Sequence, residues 1–314
     1  MLTRRHIRVK VLQSLYAYNN QSQANLKEQE KFLIKSMEKM LDLYLLMLSS
    51  MLAVRDQAEN FLEISKNKHL ATEEDKKPSR NFIDNQVLLL LETNAHLKEL
   101  LEKHKINNWQ KDHEYAQILF RELRQNSNYQ NYLALQNPTF KQDQEFIIYL
   151  YSEIVAPNDQ IYEYLEDTQI TWTDDFPIVN TAIVKILKTL SPVAHPKKWV
   201  PNLYKNEEDK EFASLLLQKT ITEDDALMNE IEGKTPNWDR ERIAELDLIL
   251  IKMAITEFLH FPSIPVKVTI NEYLEIAKEY STPKSSLFIN GLLDKMSKEY
   301  SLENKINKTG RGLK

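Results

Sequence analysis

Residues 265–295 read P-V-K-V-T-I-N-E-Y-L-E-I-A-K-E-Y-S-T-P-K-S-S-L-F-I-N-G-L-L-D-K, and this stretch decides the fold class. Thr269 followed by Glu272 fits a capping box, in which the hydroxyl accepts from a backbone N–H and the carboxylate reaches back to the cap. Ile270, Leu274 and Ala277 then share one helical face. A turn at Ser281-Thr282-Pro283 follows, and Ser285 or Ser286 is placed to cap a second helix carrying Ile289, Leu292, Leu293 and Met296. Gly291 falls inside that second helix. A mid-helix glycine costs roughly 1 kcal/mol relative to alanine, which predicts close approach of another backbone there.

Working outward, residues 207–260 continue the helical pattern. Phe212, Leu215 and Leu216 mark one helix, and Thr222 with Asp225 suggests a capped start for the next, which carries Leu227 and Ile231 and ends at Gly233. Pro236 and Asn237 introduce a longer helix. It is apolar on more than one side, with Ile243, Leu246, Leu250 and Ala254 against Leu248, Ile251 and Ile255, so it should lie at the centre of a bundle. The 314 residues hold only four glycines and no cysteine, and strand-like alternation is absent, so an all-α protein without disulfides, in a reducing compartment such as the cytoplasm, is expected. No stretch reaches the roughly 20 uncharged apolar residues of a spanning helix.

The net charge of −5 conceals an uneven distribution: +5 lies before Glu28 and +4 after Glu303, which leaves −14 for the middle. A polyanion met at one edge fits this asymmetry. The opening L-T-R-R-H-I-R-V-K-V-L-Q-S-L-Y places Ile7, Val11, Leu12 and Leu15 on a helical stripe, with Arg4 and Arg8 on another face. On charge alone such arginines also suit a solvated helix face.

The 265–295 pattern resembles the signature of the NusB family of transcription antitermination factors, carried by Val268, Ile270, Asn271, Glu272, Ala277 and Lys278, then Phe288, Ile289, Asn290, Gly291, Leu292, Leu293 and Asp294. Trp238, Glu241, Arg242, Ala254, Glu257 and Phe258 resemble the preceding family helix. Arg4, Arg5, Arg8, Leu12, Gln13, Leu15 and Tyr16 resemble the family's basic opening, with Val9 where the family often has glutamate. The resemblance runs from about 207 to 298, and implies a NusB-like helical bundle with an enlarged N-terminal helical domain. Residues 1–205 would form the N-terminal domain, 206–300 the bundle and 301–314 a basic disordered tail.

Between about 20 and 205 the resemblance runs out. Residues 29–64 form one long amphipathic pattern, followed by a charged linker at 65–80. Further helices are expected at 82–104, 115–123, 140–154 and 176–190, with Pro192, Pro196 and Pro201 marking the join to the bundle. An enlarged helical domain, present for stability or a lineage-specific contact, is the simplest account.

Catalytic patterns are missing. His96, His104 and His113 are too widely spaced to share a helical face as metal ligands, and no glycine-rich phosphate loop or nucleophile elbow occurs. Asp174-Asp175 and Asp224-Asp225 read as helix N-terminal carboxylates. No cofactor, metal or enzymatic activity is expected. The resemblance implies boxA-type single-stranded RNA as ligand, the ribosomal protein NusE as partner, a place in the RNA polymerase antitermination complex on ribosomal RNA operons, and a homodimer as one form of the free protein. Arg4, Arg5, Arg8 and Lys10 would meet phosphates, and Lys284 stands where the family often carries an acidic residue near RNA. Phe288 either stacks on a base or belongs to the core. Glu257 matches a family position near the partner and RNA surface. Three or four phosphate contacts predict a slope of log K against log salt of roughly −2 to −3. Other readings are a helical protein adaptor without RNA specificity, or an RNA-binding accessory of an rRNA-modifying system.

Overall fold

The computed structural model describes residues 1–66, 78–234 and 243–313. Among these the protein is all-α, with no strand. The expected linker lies mostly outside the described residues, as do Pro236, Asn237, Trp238, Glu241 and Arg242. The chain divides into two compact units, one of Met1 with Glu38–Leu203 and the other of Leu2–Met37 with Tyr204–Lys314. One edge of this division falls between Leu203 and Tyr204. The other falls inside a helix at Met37, so the basic opening belongs with the C-terminal helices.

In the second unit, α1 (Arg4–Asn19) begins at Thr3, whose hydroxyl accepts from His6 N. Helix α2 (Leu26–Lys66) is the long amphipathic pattern seen in the sequence, and its first turns belong here. The first unit holds the rest of α2, then α3 (Gln86–Glu92), α4 (Ala95–Lys103), α5 (Asn108–Lys111), α6 (His113–Gln125), α7 (Ser127–Leu133), α8 (Phe140–Tyr149), α9 (Asp159–Thr168) and α10 (Phe176–Thr189). Expected spans 115–123 and 176–190 match α6 and α10. The span 82–104 is two helices, because Asn94 leaves the helical path and caps α4 by accepting from Leu97 N. The span 140–154 is α8 extended by a π-helical turn over Leu150–Val155.

The centre of this unit is α2, where Leu43 to Leu48 are all buried, so every helical face there is covered. Trp172 and Trp109 donate their indole N–H to Lys39 O and Leu46 O at 2.8 and 2.9 Å, and Tyr44 donates to Trp199 O at 2.6 Å. Each of these large side chains thus gains burial while its polar atom is satisfied.

The second unit continues with α11 (Glu207–Thr222), α12 (Asp224–Lys234), α13 (Glu245–His260), α14 (Val266–Tyr280) and α15 (Ser285–Leu302). Helix α13 is the hub, packed by α1, α11, α12, α14 and α15, and every residue from Ile249 to Phe258 is buried. Its burial on all sides is the expected one, but the helix starts only at Glu245 behind the extended Ala244, so Ile243 lies outside it. Burial of each leucine or isoleucine contributes about 1.5–3 kcal/mol, so this helix carries much of the unit's stability.

Four local expectations are corrected. Thr269 does not cap α14: the helix starts at Val266 behind Pro265, and the Thr269 hydroxyl donates instead to Glu257 Oε1 at 2.7 Å. Prolines 262 and 265 set that earlier start, because Pro265 holds the extended φ and ψ of a cap. Thr222 is the last residue of α11 and Asp224 begins α12, so no capping box forms there. Ser285 opens α15 within a helical turn from Lys284, and its hydroxyl accepts from Thr282 N at 3.2 Å. Gly291 also differs from expectation: it is exposed, and a Cβ built on it meets nothing within 4 Å.

Candidate nucleic-acid interface

The basic opening is a helical edge whose three arginines differ in environment. Arg8 turns inward. Its guanidinium makes two hydrogen bonds to Glu257, at 2.8 and 2.7 Å, with 2% of its side chain exposed and none of Glu257's. It lies over the Phe212 and Tyr273 rings at 5.2 and 5.7 Å. Tyr273 OH donates to Glu257 Oε2 at 3.2 Å, so Glu257 also accepts from α14. Burial opposes the charge on Arg8, but the charge and hydrogen bonds of Glu257 outweigh it and hold the guanidinium more firmly protonated than usual.

Arg4 and Arg5 stay at the surface, with 30% and 47% of their side chains exposed. Arg4 donates to Asp209 Oδ1 at 2.9 Å and Glu208 Oε1 at 2.7 Å, both in the first turn of α11. Arg5 is bidentate to Glu272 on α14, both bonds 2.9 Å. Those hydrogen bonds from Arg5 hold the Glu272 carboxyl below the usual range, against burial and with help from the charges of Arg8 and Arg5. A groove of about 740 Å³ runs along these residues, lined by Thr3, Arg4, Arg5, Arg8, Ile264 and Glu272 among others.

The structure brings Arg4, Arg5, Arg8 and Glu257 together but not the other candidates. Lys10 is 1% exposed, inside the unit rather than on its edge. Glu257 is likewise interior, not on a surface. Lys284 is exposed and Phe288 half-buried in the first turns of α15, past the far end of α14. From Glu272 to the end of α14 is eight residues, or about 12 Å along the axis. The turn before Lys284 is fixed by Ser281, which donates to the buried Asp247 of α13.

The segment expected as a disordered tail is docked through Leu313. Lys308 Nζ donates to Glu257 O at 3.2 Å and Phe261 O at 2.9 Å, and burial pushes its pKa down to about 8 against the raising effect of Glu257. Sequence reasoning missed this contact, together with Glu208, Asp209, Thr269 and Tyr273. The acidic run Glu207-Glu208-Asp209 at a helix start was a usable signal for Arg4, since carboxylates in a first turn sit where a neighbouring helix can present arginine.

Comparison with known proteins draws a different boundary, since the family match begins inside α10 of the first unit. The NusB family model matches residues 180–298, leaving α1 outside the match. The transcription antitermination protein NusB of Salinibacter ruber is 41% identical over 104 residues, which are 33% of this chain and 65% of that protein. The protein of the same name from Thermodesulfovibrio yellowstonii is 40% identical over 110 residues, covering 35% of this chain and 73% of that one. That from Chloroherpeton thalassium is 39% identical over 104 residues, 33% of this chain and 49% of its own length. The match thus spans just under two thirds of the first relative, and about half of the third. No solved structure matches significantly. Among the described residues no helix is long and apolar enough to cross a membrane. Coverage of nearly three quarters of one relative at 40% identity is decisive: the chain belongs to the NusB family.

Proposed function

We propose that this protein is a non-enzymatic, RNA-binding transcription antitermination factor of ribosomal RNA operons, holding boxA-type single-stranded RNA together with the ribosomal protein NusE at RNA polymerase in the cytoplasm. Family membership and the similarity to transcription antitermination proteins support the antitermination role. The observation that carries the RNA reading is the pair Arg4 and Arg5, partly exposed on α1 and held by Glu208, Asp209 and Glu272. A phosphate approaching the groove takes the guanidinium forks from Glu208 and Glu272, replacing one charge-assisted pair by another. Arg8 and Glu257 stand behind the edge and keep α1 in place, and Lys10 acts through the same packing. Lys284 offers a further phosphate contact, and Phe288 a stacking surface.

Two or three phosphate contacts predict a slope of log K against log salt of roughly −1.5 to −2. Binding of boxA-type RNA across salt, with and without NusE, tests this. Arg4→Ala with Arg5→Ala should weaken binding and flatten the slope. Binding that ignores this pair of substitutions, with no help from NusE, rules the reading out.

A second reading, a protein adaptor without RNA specificity, is favoured by the local charge balance. Arg4, Arg5 and Arg8 face Glu208, Asp209, Glu257 and Glu272, so the cluster is not positive by itself. NusE binding that is independent of RNA, with no RNA binding at low salt, would support it.

A further inference from the structure

The segment after α15 carries features of a built contact. Asn304 takes φ 54°, the left-handed conformation that ends a helix, and Lys305 N donates back to Tyr300 O at 2.9 Å. Lys305 Nζ then pairs with Glu230 of α12 at 2.9 Å. Three further contacts converge on the turn between α13 and α14. Lys308 caps the last carbonyls of α13, where the helix dipole favours a cation. Thr309 N donates to Pro262 O at 3.0 Å. Gly312 lies so close to Pro262 that a Cβ would stand 2.0 Å from its carbonyl oxygen, so only glycine fits.

The turn held in this way is also a wall of the arginine groove. Ser263, Ile264 and Pro265 line the groove with Arg4, Arg5 and Arg8. Helix α14 starts directly from Pro265 and carries Glu272, the partner of Arg5. Lys308 has its ammonium on two carbonyls, so its charge is directed into the fold.

We propose that residues 305–313 are a strap that positions the RNA-facing groove, with Lys308 and Gly312 as positioning residues. The strap fixes the Pro262–Pro265 turn, and with it the Ser263, Ile264 and Pro265 wall of the groove in which RNA phosphates meet Arg4 and Arg5. This rests on the RNA reading above.

Gly312→Ala in the full chain tests it, because the substitution changes no charge and its Cβ has to displace the strap. Amide exchange at Ile264 and Thr309 should quicken while α10 keeps its protection. Affinity for boxA-type RNA should fall about fivefold or more, as expected for coupling between neighbouring elements. The salt slope should stay that of the unmodified protein, because the number of phosphate contacts is unchanged. Lys308→Met should behave alike. A drop in salt slope of about 0.7 in that variant would make Lys308 a phosphate contact and overturn its positioning role. Unaltered exchange at the turn, or full RNA affinity with the turn loosened, overturns the strap while the RNA reading stands. An unmodified protein that binds no RNA overturns that reading, and this role of the strap with it.

Discussion

Arg8 of α1 and Glu257 of α13 lie 249 positions apart in sequence, yet they share two hydrogen bonds of 2.8 and 2.7 Å in a site closed to solvent. Thr269 and Tyr273 of α14 donate to the same carboxylate, so one buried ion pair ties three helices together. The family match covers α13 and α14 but not α1. This pair therefore joins the basic opening to the recognised part of the chain.

Removing one partner leaves a buried charge without its counter-ion, which typically costs about 3–5 kcal/mol. Arg8→Met and Glu257→Leu should each lower the free energy of unfolding by an amount of that order, read from the shift in denaturant midpoint. The double variant should recover a large share, since two apolar side chains avoid the desolvation of both charges. Chemical unfolding of the three variants checks this, and additive losses would show that the pair is not coupled.

The surface arginines should behave in the opposite way. Arg5→Ala breaks a half-exposed pair and should change stability by less than about 1 kcal/mol. Its effect belongs on RNA: weaker binding, with the salt slope reduced by about 0.7. Glu272→Gln takes away the carboxylate that competes with phosphate for Arg5, so RNA should bind more tightly than to the unmodified protein. Weaker binding in that variant would instead make Glu272 the group that aims the fork. Titrations of both variants at two salt concentrations separate these outcomes.

These contrasts mark what was legible in the sequence. Helical period located α13 as the central element and gave the buried face of α15, because apolar burial leaves a repeat of 3.6 residues. Periodicity carries no such record of a buried ion pair. Arg8 sits four residues from Arg4 and reads like one more member of a solvated face, and only the tertiary arrangement distinguishes them. Thr269 shows the same ambiguity at the level of a motif. A threonine three residues before a glutamate satisfies a capping box on paper, but prolines upstream had already started the helix, which released the hydroxyl for Glu257. The docked segment at 305–313 was hidden for another reason: its contacts are to backbone carbonyls, which every residue carries.

Two titrating groups whose pKa values are depressed on folding make stability rise with pH in two separate intervals. Glu272 has a folded pKa below its unfolded value, so its contribution is present above the usual carboxylate pKa and is lost as pH falls through the folded value. Thermal stability should therefore decline less steeply in acid for Glu272→Gln than for the unmodified protein. Lys308 is depressed to about 8 from 10.5, so above pH 8 the unfolded chain binds more protons and stability rises with pH across that interval. Lys308→Met should remove this rise. Melting temperatures of each variant against the unmodified protein, from pH 3 to 5 and from about 7.5 to 9.5, test the rise in each interval.

Gly291 provides a test that separates folding from binding. It lies inside α15, is exposed, and has nothing within 4 Å of a built Cβ, so no packing offsets its helical cost. Gly291→Ala should therefore stabilise the protein by about 0.5–1 kcal/mol, partly by restricting the unfolded chain. A lower melting temperature would mean that the glycine meets a neighbour that this arrangement lacks. If the melting temperature rises while RNA or NusE binding weakens, the open space beside Gly291 is where a partner's backbone comes close. If both properties hold or improve, the glycine has no part in either contact, and the interface lies at the other end of α14, where Arg4 and Arg5 stand.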